Sequence, residues 1–438
     1  MVRRSSKILL VVLAVLACLC LSVLVMPSSS ATSGDTTDPG HISWILVCSL
    51  LVFIMSPGVA FFYGGMLRKQ SMGSIMAQTL IAMGVMSISW ILVGYTLTFD
   101  GSNPVIGGLG HLLMNGVVED ATGGAISDME FALFQMMFSM VAGALVLGAA
   151  AERIRYTAIV WFLAIWSIVI YAPMAHWVWG GGWFDQYLVV LDFAGGLVIH
   201  ICAGITGLAL VLFAGPRRAS NRESRAHNVP LTFLGAALLW FGWFGFNGGS
   251  GLLADGQAVR VMFVSQVAAV FAMASWGIAQ YLVVGRVGVL GLIAGAVSGL
   301  VAITPAAGYV GIPSSIVIGL VAGVLCFFSV RVIRNRCKLD DALDVFGVHG
   351  IGGLWGSIAV GLFANPHYSG GIESVFFGGS IDLLVGQIVA SVFTLVYCFV
   401  VSYGIILILS KFMRVRVNED EEMIGQDIIE HGEESYLM

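Results

Sequence analysis

His200-Ile201-Cys202-Ala203-Gly204-Ile205-Thr206-Gly207 recurs later in the chain as His349-Gly350-Ile351-Gly352-Gly353-Leu354-Trp355-Gly356. Both stretches fit His-x-x-small-Gly-x-x-Gly, and both sit in apolar runs long enough to cross a bilayer as helices. A second pair accompanies them: Phe62-Tyr63-Gly64-Gly65 in the first apolar run and Phe246-Asn247-Gly248-Gly249 in the sixth. Two matches in register mark an internal repeat, in which runs one to five correspond to runs six to ten.

Working outward, eleven such runs are read, at about 42–64, 72–98, 131–151, 157–175, 195–214, 231–249, 258–284, 288–307, 312–333, 345–364 and 381–412. Neither strand alternation nor the short period of a β-barrel is visible. Five is odd, so the two halves insert with opposite orientation, as in transporters whose site lies at the midplane between halves. The expected fold is an all-α polytopic membrane protein of eleven transmembrane helices, two inverted five-helix repeats plus an extra C-terminal helix. Pro57, Pro173 and Pro305 lie in or beside spans, where breaks are tolerated if neighbours satisfy the freed backbone.

Charge placement tests the count. Outside the leader, 16 of 17 Lys and Arg residues fall on alternate loops, and only Arg260 lies on the others. The positive-inside rule then puts the start of the mature chain outside and its C-terminus in the cytoplasm of a plasma-membrane protein. Composition agrees: 58% of the 438 residues are hydrophobic and 10% charged, against about 25% charged in soluble domains. Such a chain could not cover a water-facing surface, which excludes disordered and nucleic-acid-binding classes. The 56 glycines carry no collagen period and point to close helix contacts.

Residues 1–31 read as a cleaved signal peptide: Arg3, Arg4 and Lys7, then an apolar run, then Ser29-Ser30-Ala31. The run is long for a signal, so an uncleaved extra helix is the competing reading. Residues 32–412 form the transporter domain and 413–438 a cytoplasmic tail. The seven cysteines show no metal-ligand or redox spacing and read as small buried hydrophobes.

Ionisable residues inside a bilayer are rare and are functional candidates by default. A pseudo-two-fold axis brings His200 and His349 to the centre together. Zinc is a poor fit, because no third ligand with suitable spacing is present; no metal or cofactor is expected. Two imidazoles sharing a proton, as a polar strip in an apolar channel, fit better. Asp192, eight residues before His200, reads both as a helix N-cap and as a negative potential at the outer mouth. Asp344, five before His349, reads as structural. Trp179 could offer its ring face to a small cation.

Several motifs together resemble the ammonium transporter family (Amt/MEP, relatives of the Rh proteins). They are Phe61-Phe62-Tyr63-Gly64-Gly65, Ala151-Glu152-Arg153, His176-Trp177-Val178-Trp179-Gly180-Gly181-Gly182, Leu191-Asp192-Phe193-Ala194-Gly195-Gly196, Gly242-Trp243-Phe244-Gly245-Phe246-Asn247-Gly248-Gly249-Ser250 and Asp344-Val345-Phe346-Gly347-Val348-His349-Gly350. The resemblance implies a homotrimer with one pore per protomer. It puts an outer recruitment site at Trp179 and Ser250, with Phe134 and Asp192 beside it. A stacked gate then falls on Phe138 and Phe246, and twin pore histidines on His200 and His349. Tyr63, Trp243 and Asp344 are implied as support. The segment from Glu421 to Tyr436 resembles the tail of bacterial and archaeal members, with Gln426 a slight departure. It implies docking on neighbouring subunits and regulation by a trimeric PII-type protein.

The expected function is transport, not catalysis: ammonium is recruited outside, deprotonated, and conducted as ammonia, with or without a separately relayed proton. A passive channel for ammonia or carbon dioxide and an ammonium sensor are the alternatives. The sensor class usually carries an appended output domain, which favours transport.

Overall fold

The computed structural model describes residues 38–119, 125–218 and 226–436. The expected signal peptide lies outside the described residues. Among these, ten helices are long and apolar enough to cross a membrane. They are α1 (Pro39–Met66), α2 (Lys69–Phe99), α3 (Asp128–Val146), α4 (Tyr156–Tyr187), α5 (Gly196–Ala214), α6 (Val229–Gly249), α7 (Gly256–Val284), α9 (Ile312–Asn335), α10 (Phe346–Phe363) and α11 (Asp382–Phe412). A shorter apolar helix, α8 (Val289–Ile303), fills the eighth place. The chain is thus an all-α membrane protein. The described residues form no strand, only an isolated antiparallel bridge between Ile154 and Arg416.

Local chemistry sets the helix starts. Asp38 accepts from Gly40 N–H at 2.6 Å and Pro39 occupies the first turn of α1, where its missing donor is harmless. Asn228 and Asp255 cap α6 and α7 in the same way. Two helices stop earlier than their apolar runs. The α8 helix ends before Pro305, which has no N–H to continue the helical ladder, and Pro305 O accepts from Phe193 N–H at 3.1 Å. After Val146 the chain turns, and Glu152 adopts φ 68, which folds its carboxylate inward.

Glycines bring the helices together. A methyl at Gly235 of α6 would lie 2.1 Å from the Phe62 nitrogen of α1. A methyl at Gly204 of α5 would lie 2.3 Å from the Gly350 nitrogen of α10. The second contact joins the two repeats where their histidines lie.

The arginine-rich face is tied by ion pairs. Glu152 accepts from Arg68 and Arg217, each at 2.9 Å, and from Ser71 Oγ at 2.9 Å. Burial pushes the Glu152 carboxyl up, but Arg217 and Arg68 outweigh it and hold the group below its ordinary range. Arg217 also meets Asp340 at 2.8 Å. The tail docks on its own chain: Arg155 reaches Glu421 and Glu430 at 2.5 and 3.0 Å. Asp427 accepts from Gly73 and Ser74 N–H at 2.9 and 2.7 Å. Gln426 is buried, and its amide donates to Ile154 O at 3.0 Å, which gives a polar side chain a use in an apolar slot.

Candidate functional site

The two histidines sit on corresponding pieces of the repeats. Residues Gly196–Ile201 and Phe346–Gly350 are each wound as a π-turn at the start of a span, a local widening frequent at functional sites. Each turn is held from outside by one aspartate. Asp192 accepts from the N–H groups of Gly195, Gly196 and Leu197 at 2.7–2.8 Å. In the second repeat the holder is Asp341, which accepts from Val345, Phe346 and Gly347 at 2.8–3.3 Å.

Both aspartates stand eight residues before their histidine, so Asp341, not Asp344, is the counterpart of Asp192. That equal spacing was visible in the sequence and is the signal by which Asp341 could have been found. Asp344 matches Gly195 instead. Each stands five residues before its histidine and each has positive φ, 57 for Asp344 and 114 for Gly195. Asp344 pairs with Arg334 at 2.9 Å. Burial pushes the Asp341 carboxyl up to about 7, with the nearby Asp344 charge adding to it, while the three N–H donors pull it down. Asp192 is likewise raised by burial against its backbone donors. Its oxygens are turned into the α5 start and it is 5% exposed, so the cap is what the geometry displays.

The histidine Nδ1 atoms are 3.2 Å apart. Trp243 stacks on His200 with centroids 5.4 Å apart, and its indole N–H is anchored on Thr304 Oγ1 at 2.9 Å. Tyr63 donates to Leu145 O at 3.1 Å. Tyr63, Trp243, Val141, Leu239 and both histidines line a constriction of about 10 Å³, roughly the room one water-sized molecule needs. Among the described residues His200 Nε2 is buried without a partner. On the arginine-rich side His349 opens onto a wider cavity of about 270 Å³, bordered by Arg331, Arg334 and Asp344.

On the other side of the histidines stand two stacked rings. Phe138 and Phe246 stack with centroids 4.2 Å apart and planes 17° apart, and both are buried. Phe246 lies 6.1 Å from the His200 ring. Above them Trp179 meets Phe138 edge-on at 6.3 Å, with its indole N–H fixed on Asp192 O at 2.8 Å. Phe134 packs edge-on against Phe138 at 4.8 Å. Ser250 is half-buried at the end of α6, its hydroxyl donating to Phe246 O at 2.8 Å. The predicted residues thus form one file, from Trp179 and Ser250 through the paired rings to the paired histidines. Among the described residues no group of three or more His, Cys, Asp or Glu side chains could hold a metal ion.

Comparison with known proteins comes to the same place. The pattern of the Ammonium Transporter Family matches residues 43–436. The ammonium transporter of Bacillus subtilis is 44% identical over 402 residues, which is 91% of this chain and 98% of that protein. The crystal structure of Saccharomyces cerevisiae Mep2 superposes with a TM-score of 0.80 at 30% identity, covering 90% of this chain and 96% of that one. A structure described as a sensor Amt protein superposes at 0.83 with 29% identity, covering 90% and 98%.

Proposed function

The chain belongs to the ammonium transporter family, and from that premise we propose that it takes up ammonium at the arginine-poor face and passes ammonia to the other. The observation that carries this reading is the histidine pair directly behind a closed pair of phenyl rings. An intact cation crossing about 30 Å of hydrocarbon faces a Born penalty of tens of kcal/mol. Deprotonating an amine of pKa about 10 at pH 7 costs about 4 kcal/mol. Losing the proton is the cheaper route, and potassium has no proton to lose. Selectivity then follows from the chemistry of the substrate rather than from its size.

In this reading the Trp179 face and Ser250 hold ammonium above the gate. Phe138 and Phe246 swing apart, and neutral ammonia enters the constriction. There the imidazole nitrogens of His200 and His349 supply hydrogen bonds in otherwise apolar surroundings. The arginine-rich face lies in the cytoplasm of the plasma membrane, where a homotrimer presents its tails to a PII-type regulator. A crosslinked trimer and co-purification with such a protein would support that assembly.

The test is ammonium-triggered current in proteoliposomes, for the intact protein and His200→Ala, with potassium as control and internal pH recorded in parallel. A sustained ammonium current without a potassium current is expected. With His200→Ala, potassium is expected to pass as well. Ammonia entry without current would instead mean a gas channel. The likeness to a sensor Amt protein favours ammonium sensing as the second reading, and absence of both current and ammonia entry would select it.

A further inference from the structure

We infer that Glu130 is an additional cation-recruiting carboxylate at the arginine-poor mouth of the pore, an inference that rests on ammonium entering from that side. Glu130 lies in the first turn of α3, one helical turn outward of Phe134. At 100° per residue it falls on the same stripe as Phe134, Met137 and Val141. Val141 lines the constriction with His200 and His349, so the stripe that bears Glu130 is the one that faces the pore.

Glu130 is 6% exposed, and among the described residues neither of its carboxylate oxygens has a hydrogen-bond partner. Two ordinary uses for an acid at this position are unfilled. A capping box would return the Glu130 side chain to the Ser127 N–H; the Glu130 N–H does donate to Ser127 Oγ at 3.1 Å, but its carboxylate gives nothing back. An ion pair would need a basic residue, and Arg260 is the one Lys or Arg that the sequence puts on this side. Its Nη2 donates to Gly308 O at 2.8 Å and its guanidinium lies 3.8 Å over the Tyr368 ring, while its Nε has no partner among the described residues; no ion pair joins it to Glu130. Glu152, a buried acid beyond the other end of α3, has two guanidiniums and a hydroxyl.

A buried carboxylate with no partner is costly, and here no described residue supplies a counter-charge. The matching group is a small monovalent cation from solution. Ammonium fits doubly, with a positive charge and N–H donors for both oxygens. Potassium shares the charge only, so Glu130 concentrates cations at the mouth and leaves discrimination to the gate and histidines below.

The experiment titrates ammonium against current for the full-length protein in proteoliposomes. Glu130→Gln, nearly isosteric and neutral, is expected to raise the half-saturating concentration roughly three- to tenfold, the scale of one screened charge near the site. Glu130→Asp, which keeps the charge, is expected to fall between. Excess potassium should raise the half-saturating concentration for the intact protein and much less for Glu130→Gln. If Glu130→Gln leaves that concentration unchanged while Trp179→Ala raises it, the role of Glu130 is overturned and the recruitment reading stands. If neither moves it, recruitment at this mouth falls altogether. A lower plateau with an unshifted midpoint would make Glu130 a structural residue and also overturn the inference.

Discussion

His200 and His349 face each other through their Nδ1 atoms at 3.2 Å. In a neutral imidazole one ring nitrogen donates and the other accepts, so a hydrogen bond here requires a proton on one Nδ1 and none on its mate. The two rings must therefore be opposite tautomers. If His200 Nδ1 donates, its Nε2 is an acceptor directed at the constriction; if His349 donates, His200 Nε2 carries the proton. Moving the shared proton alone would leave an imidazolate beside an imidazolium, so exchange between the two neutral arrangements also needs one proton to arrive at one Nε2 and another to leave the opposite Nε2.

The aspartates that hold these turns make the first prediction. Removing the acceptor leaves three buried N–H groups unpaired, each costing about 1–3 kcal/mol. Asp341→Ala should destabilise the protein by at least about 2 kcal/mol, with Asp192→Ala at least as harmful, since it holds Gly195, Gly196, Leu197 and also Val198. Burial disfavours the Asp341 charge, so the neutral isostere in Asp341→Asn should keep most of the cap. Asp344→Gly should cost under about 1 kcal/mol, because glycine accepts the positive φ with no Cβ penalty. Thermal unfolding in detergent ranks the four variants. Equal losses at Asp341 and Asp344 would refute the assigned counterpart.

Much of this was legible in the sequence, and the rest was hidden for physical reasons. Spans and their alternation are carried by composition and loop charge, which the bilayer enforces residue by residue. His200 and His349 stood out because an ionisable group is rare in such a run. Asp344 is the more conspicuous acid in the sequence because it abuts the apolar run, although the repeat spacing points past it to Asp341. Glu130 was inconspicuous because an acid in a first helical turn is the ordinary complement to the helix dipole. The π-turns depend on how the aspartates and neighbouring helices hold the backbone, and no local residue pattern announces them.

The crossing of the repeats makes the second prediction. Gly204→Ala would put a methyl 2.3 and 2.5 Å from the backbone N and Cα of Gly350. Backbone cannot rotate away as a side chain can, so the α5–α10 contact must open. Overpacking of this kind costs about 1–3 kcal/mol, and the shift falls on the histidine pair, so transport should drop more than stability. Gly84→Ala is the control: its methyl meets nothing within 4 Å, and helix propensity favours alanine by up to about 1 kcal/mol. Uptake assays beside thermal unfolding would show whether only Gly204→Ala separates the two readouts.

The docked tail makes the third. Arg155 holds Glu421 at 2.5 Å and Glu430 at 3.0 Å, and Glu421 also accepts from Asn418 N–H at 2.8 Å in a capping box. The Asn418 N–H and Arg155 outweigh slight burial and hold the Glu421 carboxyl below its ordinary range. A folded pKa below the unfolded value of about 4.3 means the contribution to docking is complete above that pH. It is lost as pH falls through the depressed value. Hydrogen exchange of Glu419–Ile424, corrected for intrinsic rate, should therefore be flat from pH 8 to about 5 and accelerate below about 4. Arg155→Ala should reproduce the acid behaviour at pH 7, weakening docking on the order of 1 kcal/mol because the pairs are partly solvent-screened. Acceleration confined to low pH in both proteins would mean that other contacts, such as Asp427 on Gly73 and Ser74, hold the tail without Arg155. Substituting Asp427 by Ala would then be the variant that releases it.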